Sequence, residues 1–379
     1  MLKTLATTTL SLCLLAPAAA YAGTADRAPF GKLANGQPVE VITLTNAKGM
    51  KARILSYGAI LQGVDVPDRD GKMADVTLGY TDMRGYLAAP NYFGATVGRY
   101  ANRIKAGKFT LDGKSYSLAL NNKTNALHGG VQGFDKRLWK VVEVTGGATS
   151  HVTLAYTAAD GEEGYPGELK VTATYSLNDA NELTVDYRAT TNKPTIVNIT
   201  NHSFFNLGGE ASQRSIYDAV LTIPAETTTP VDATLIPDGT FRPVQGTPLD
   251  FRKPTVIGSR IRDASDSQIL FGQGYDENYV IARDLSKTPR LAARVEDPAT
   301  GRTMEVLSNQ PGVQLYTGNF LDGTAVGKSG RAYRQGDAIA LEPQVFPDTP
   351  NQPALGSARL DPGQAYRNVI VYRFSVSAR

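Results

Sequence analysis

Three histidines serve a chain of 379 residues, and two of them share a local setting. His202 lies in TNHSFFNLGG and His128 in NNKTNALHGG. Each has asparagine close by and a glycine pair just downstream, and glycines let backbone or ligand approach a neighbouring side chain closely. An imidazole in such a place either moves protons or caps a turn. His151, in SHVTLAY, stands at the entry to a plain strand and reads as a surface or edge residue. Among the carboxylates, Glu342 follows AIAL and precedes Pro343. Proline keeps the residue before it out of the helical region, so Glu342 is extended, at a strand end that faces loops. Asp276, in GQGYDENYVIA, stands just before a strand among glycines, where a turn former or a ligand contact both fit. Arg103 follows Asn102 in GRYANRIKAG and offers its planar donor fork to a local acid or to a ligand oxygen.

Taken together, a carboxylate, two imidazoles, an aspartate, an arginine and amides suit general acid–base chemistry on a polyhydroxylated substrate. A serine triad on a nucleophile elbow does not fit, because the chain has no G-x-S-x-G. Two histidines and a carboxylate are a conceivable zinc set, but the spacing of zinc proteases is missing, so no metal is expected. GTAVGKSG (323–330) resembles a phosphate loop with one residue too few between its glycines, and GQGYDE lacks the third glycine of a dinucleotide fingerprint.

The elements that must position these residues are strands. LKVTATYSL (169–177) alternates Leu, Val, Ala, Tyr and Leu with mostly Thr and Ser, and ELTVDYRAT follows after a polar turn. GKFTLDGKSYSLAL is a second hairpin, with Asp112-Gly113 suited to a type I′ turn. HVTLAYTA, RTMEVLSN, AIALEPQ and NVIVYRFSV also read as strands, and VIGSRIRDA (256–264) as a short helix. Many short strands without a linker predict an all-β fold, one large antiparallel β-sandwich.

Lys3, the apolar run LATTTLSLCLLAPAAA and Ala20-Tyr21-Ala22 form the pattern of a secretory leader. Residues 1–22 are therefore expected to be removed and residues 23–379 to form a single exported domain, periplasmic or secreted. The lone cysteine, Cys13, falls in that leader, so the mature chain is expected to hold no disulfide. Net charge is only +3 and the basic residues are scattered, which gives no footprint for nucleic acid. No later run is apolar enough for a membrane span. A monomer or weak homodimer suits a chain with no obvious interface patch.

GATVGRYANRIKAGKF, NALHGGVQGFDKRLWKV, TNHSFFNLGG, GYDENYV, QPGVQLYTGNFLDGT and LEPQVFPD occur in this order. With them the sequence resembles the aldose 1-epimerase (galactose mutarotase) family over nearly the whole mature chain. The resemblance implies the large mutarotase-like sandwich, interconversion of the α and β anomers of free aldohexoses such as galactose and glucose, and no cofactor or metal. It implies Glu342 as the general base at the C1 hydroxyl, His202 as the acid at the ring oxygen, and His128 as its assistant. Asn102, Arg103, Asp276 and Gln314 match sugar-binding positions, and Ser203 and Phe204 match the pocket wall beside the acid. Many relatives have Tyr at position 204, so a hydroxyl contact is missing there. Three other classes compete: a sugar-binding module without catalysis, an epimerase of hexose phosphates, which needs more cations than Arg103, and a glycoside hydrolase, which needs two suitably spaced carboxylates.

Overall fold

Period-two alternation becomes sheet along most of the chain. Leu169–Asn178 and Glu182–Thr191 pair antiparallel, with Leu177 opposite Leu183. The apolar residues of the first strand are buried and its Thr and Ser residues half-buried, as the alternation requires. The structure, a computed structural model, describes residues 22–88 and 91–377. The proposed leader falls almost wholly on residues 1–21, which lie outside the described residues.

This hairpin forms the middle of a nine-stranded antiparallel sheet together with Thr149–Ala158, Tyr366–Val376 and Arg302–Ser308. A six-stranded sheet runs in the order Phe204–Phe205, Ile339–Gln344, Gly312–Tyr316, Asp276–Val280, Thr227–Thr228 and Arg242–Pro243. Five strands between Thr24 and Asp75 form a third sheet. Phe205, Tyr279, Val313, Leu315 and Leu341 of the six-stranded sheet share one apolar core with Tyr187, Val306 and Tyr372 of the nine-stranded sheet. The fold is thus the expected all-β antiparallel sandwich. Strand side chains alternate between faces, so Val313, Leu315 and Leu341 enter the core while Gln314 and Glu342 face away from it.

Asp112 and Gly113 both have positive φ and join Lys108–Leu111 to Lys114–Ser117, as a type I′ hairpin demands. The phosphate-loop lookalike is a strand pair, Asp322–Val326 with Ala332–Arg334, and Lys328 is committed to Asp75 at 2.6 Å. Two expectations change. VIGSRIRDA holds only a 3-10 turn, Ile257–Ser259, and the α-helix comes later at Ser267–Gly272. There the side chain of Asp266 accepts from the backbone N–H of Gln268, a cap that the earlier segment lacks. Glu342 is not at a strand end: its strand continues through Pro343 to Gln344. Proline is tolerated because the Phe204–Phe205 strand covers only Ile339 and Ala340, so no ladder bond is lost beyond them.

Candidate active site

His128 follows the short strand Ala126–Leu127, which pairs with Arg103–Ile104. The backbone N–H of His128 donates to the carbonyl of Asn102 (2.9 Å), and the N–H of Asn102 donates to His128 Nδ1 (3.1 Å). This reciprocal pair fixes the tautomer: with Nδ1 accepting, the neutral ring carries its proton on Nε2. The Asn121 side chain ties the loop, bonding the N–H and C=O of Leu127 and the C=O of Gly130. Gly129 explains the glycine after the histidine, because a Cβ there would lie 1.9 Å from the carbonyl oxygen of Gly98.

His202 ends the strand Thr200–His202, which pairs with Ala95–Val97. Its ring and that of His128 meet edge to face, with centroids 5.1 Å apart. Glu342 reaches the same place from the six-stranded sheet, with Oε1 3.6 Å from His202 Nε2. Gln314 stands directly across from Glu342 and donates through Nε2 to Asp276 (2.6 Å). Arg103 Nε donates to the Asn122 side chain at 3.2 Å.

These side chains line one cavity of about 310 Å³, at the small end of the range for small-molecule sites. Glu342, His202, His128, Asn102, Arg103, Asp276, Gln314 and Phe204 are all in its wall. Ser203 is not: it turns to the other side of the chain and its hydroxyl donates to Asn201 Oδ1 (2.5 Å). Among the described residues, six of the twelve non-glycine residues with positive φ line this cavity, namely Tyr92, Asn102, Lys123, His128, Leu235 and Gln273. Backbone strain gathers at functional sites, where the surrounding structure holds it for a purpose.

Burial sets the electrostatics. It lowers His202 to about 4 and pushes His128 well below the usual imidazole range, helped there by His202, Arg103 and Lys136. Burial raises Glu342 well above the carboxylate range, Asp276 adds to this, and Arg103 opposes it. Asp276 is itself raised by burial. Both members of the His202–Glu342 pair are thus driven toward their neutral forms. Ligand atoms of His128, His202 and Glu342 lie within 4.8 Å of one another, a spacing that a divalent ion could tighten. The tautomer of His128 fits poorly, since Nδ1 is engaged and Nε2 bears hydrogen. That ring is built to donate to an oxygen.

The aldose 1-epimerase family model matches residues 40–373. This chain belongs to the aldose 1-epimerase family. It is 46% identical to the galactose mutarotase of Homo sapiens, over 93% of this chain and 98% of the relative. It is 36% identical to the aldose 1-epimerase of Escherichia coli, over 90% and 96% of the two chains. The crystal structure of galactose 1-epimerase from Lactobacillus acidophilus superposes with a TM-score of 0.81 at 30% identity, covering 93% of this chain and 99% of that one.

As an aldose 1-epimerase family member, the chain has further cavity residues that sequence reasoning did not single out. Tyr92, Asn122, Lys123, Phe271, Tyr316 and Phe320 all contribute to the wall. Lys123 adds an exposed cation at the rim. Tyr316 and Phe320 stack with centroids 6.0 Å apart and lead from the His202 end to the solvent, where Phe320 is half-exposed. Aromatic residues in apolar runs carry no local mark that separates wall from core. The positive φ of Tyr92 and Lys123 is equally silent in sequence, for neither type favours it.

Proposed function

We propose that this chain interconverts the α and β anomers of free aldohexoses, with galactose and glucose as first candidates. The observation that carries the reading is the buried Glu342–His202 pair, 3.6 Å apart, in the wall of a sugar-sized cavity. The O1 and O5 atoms of a pyranose are both bonded to C1, so its base and acid must stand this close. Glu342 takes the proton from O1, and the electron pair of that O–H bond forms the C1 carbonyl. The C1–O5 bond breaks, and O5 takes a proton from His202. The open aldehyde turns about C1–C2, O5 attacks the other face of C1, and both protons return. His128, held as the Nε2–H tautomer, donates a hydrogen bond on the ring-oxygen side. Asn102, Arg103, Asp276 and Gln314 hold sugar hydroxyls, which both donate and accept. Phe204 supplies apolar wall, and Ser203 acts only through Asn201.

The pair carries one proton throughout. Before opening it is carboxylate plus imidazolium; after opening it is carboxylic acid plus imidazole. Burial penalises the charged arrangement and so brings the two states closer in energy, which a reversible isomerisation needs. Polarimetry on freshly dissolved α-D-galactose and α-D-glucose tests the function. The rotation should reach equilibrium much faster than in buffer alone, and an unchanged drift on both sugars would refute it.

Export and a single domain belong to the same proposal. The charged start, apolar run and Ala20-Tyr21-Ala22 support removal of residues 1–22. Among the described residues no helix is long and apolar enough to cross a membrane. N-terminal sequencing of the mature protein should begin at Gly23, and a chain retaining Met1 would contradict this.

A further inference from the structure

Tyr92 stands where the cavity meets a second, smaller one of about 100 Å³, and it lines both. On one side its ring packs on His128 and His202, with centroids 4.7 Å and 5.8 Å away. On the other the Lys136 ammonium lies 5.4 Å from the ring centroid, paired with Asp135 at 2.7 Å. We propose that Tyr92 is a positioning residue of the reaction, whose ring holds both imidazoles in register and screens them from water. This rests on the acid–base reading of the site given above.

The backbone shows that the placement is built. Tyr92 has φ +56°, a conformation that bulky residues rarely adopt. The carbonyl of Tyr92 accepts from Ala95 N–H (3.0 Å), and Gly94 N–H donates to the carbonyl of His202 (3.0 Å). Asn201 Nδ2 donates to the carbonyl of Gly94 (3.0 Å). The turn that aims the ring is therefore fastened to the strand that carries the acid. Gly94 has no substitute there, since a Cβ would lie 2.0 Å from the Leu61 carbonyl oxygen.

The ring itself is the working part. Burial first, then Asp135, pushes the phenol of Tyr92 well above its ordinary value, so it keeps its proton. The charged groups facing the imidazoles are Glu342, Arg103 and Lys136, with Asp276 acting on Glu342. Removing the ring admits water to both imidazoles and relieves the burial that lowers them.

The test compares Tyr92→Phe with Tyr92→Asn, because asparagine accepts a left-handed backbone while losing the ring. Tyr92→Gly is a second ring-less variant without strain at that φ. Two readouts are used: kcat and KM for anomerisation, and the imidazole titrations by NMR. The chain has three histidines, so the imidazole signals are few enough to assign one by one. Tyr92→Phe should match wild type. Tyr92→Asn should stay folded with KM near wild type but lose ~100-fold in kcat, the scale of a slight misplacement of reacting groups. Its His202 titration should move up from about 4 toward the ordinary imidazole value. The proposal is overturned if Phe is as slow as Asn, since the hydroxyl would then matter. It is equally overturned if Asn leaves kcat and the His202 titration unchanged, or raises KM alone. An inactive wild type would sink the anomerisation reading, while the His202 titration would still report on the ring.

Discussion

Glu342→Gln keeps the size and burial of its side chain and loses only the ability to accept a proton. The expected result is a loss of ~10²–10⁴-fold in kcat with KM little changed, the usual worth of one positioned base. His202→Asn should lose a similar factor. The pH profile follows from the proton count of the pair. Near pH 4, the lowered value of His202, a second proton enters the pair, no base remains, and the rate falls. At the high end Glu342, raised by burial and by Asp276, loses the single proton, no acid remains, and the rate falls again. A plot of log kcat against pH should therefore be bell-shaped, with an acid limb near 4 and an alkaline limb above the usual carboxylate range. Asp276→Asn removes a charge that raises Glu342, so the alkaline limb should move to lower pH.

At the scale of elements, the two glycine pairs after the histidines differ in what they do. Gly129, with φ +89° and a close approach to Gly98, cannot carry a side chain without moving the His128 loop. Gly129→Ala should cost more than ~1 kcal/mol in chemical denaturation, the minimum when alanine is forced to positive φ, and should lower kcat as well. Gly209, also at positive φ, has room for a Cβ at 3.4 Å from Ala74, so alanine there is strained only by its dihedral. Sequence reasoning could see the hairpins because Leu169–Thr191 repeats its alternation for two full strands and Asp112-Gly113 names its own turn. It could name Glu342 and both histidines because their neighbours are unusual and the family resemblance assigns them. It read AIALEPQ as a strand but took Glu342 for its end, because Pro343 ordinarily marks an edge, and only the short reach of Phe204–Phe205 makes that edge. It could not place Ser203 outside the cavity, because it falls in the break between two short strands, and the way it turns there is settled by their partners. Tyr92 stayed hidden because its role depends on a turn fastened to a strand more than a hundred residues away.

For the whole molecule, one guanidinium joins three sheets. Arg302 begins a strand of the nine-stranded sheet and is almost fully buried. Its Nε donates to the carbonyl of Val66 in the five-stranded sheet (3.2 Å), and its Nη2 to that of Lys72 (2.8 Å). Its Nη1 donates to the carbonyl of Leu207, just beyond the Phe204–Phe205 strand of the six-stranded sheet (3.1 Å). Arg302→Met fills the space and strands three acceptors. It should destabilise the protein by on the order of 3 kcal/mol, measured by urea unfolding, since bonds from a charged donor exceed neutral ones. The kcat of the folded fraction should stay near wild type, because Arg302 is not in the cavity wall. Loss of activity in proportion to stability would contradict the separation of scaffold and site. The central claim, a Glu342–His202 pair that works as a unit on one proton, is tested most directly by NMR exchange between the α and β anomers of galactose. Wild type, Glu342→Gln, His202→Asn and the double variant would be measured side by side. The account predicts that each single variant loses most of the catalysis and that the double variant is hardly slower than either, as for residues that act together. A near-wild-type rate for Glu342→Gln, or losses that multiply in the double variant, would contradict it.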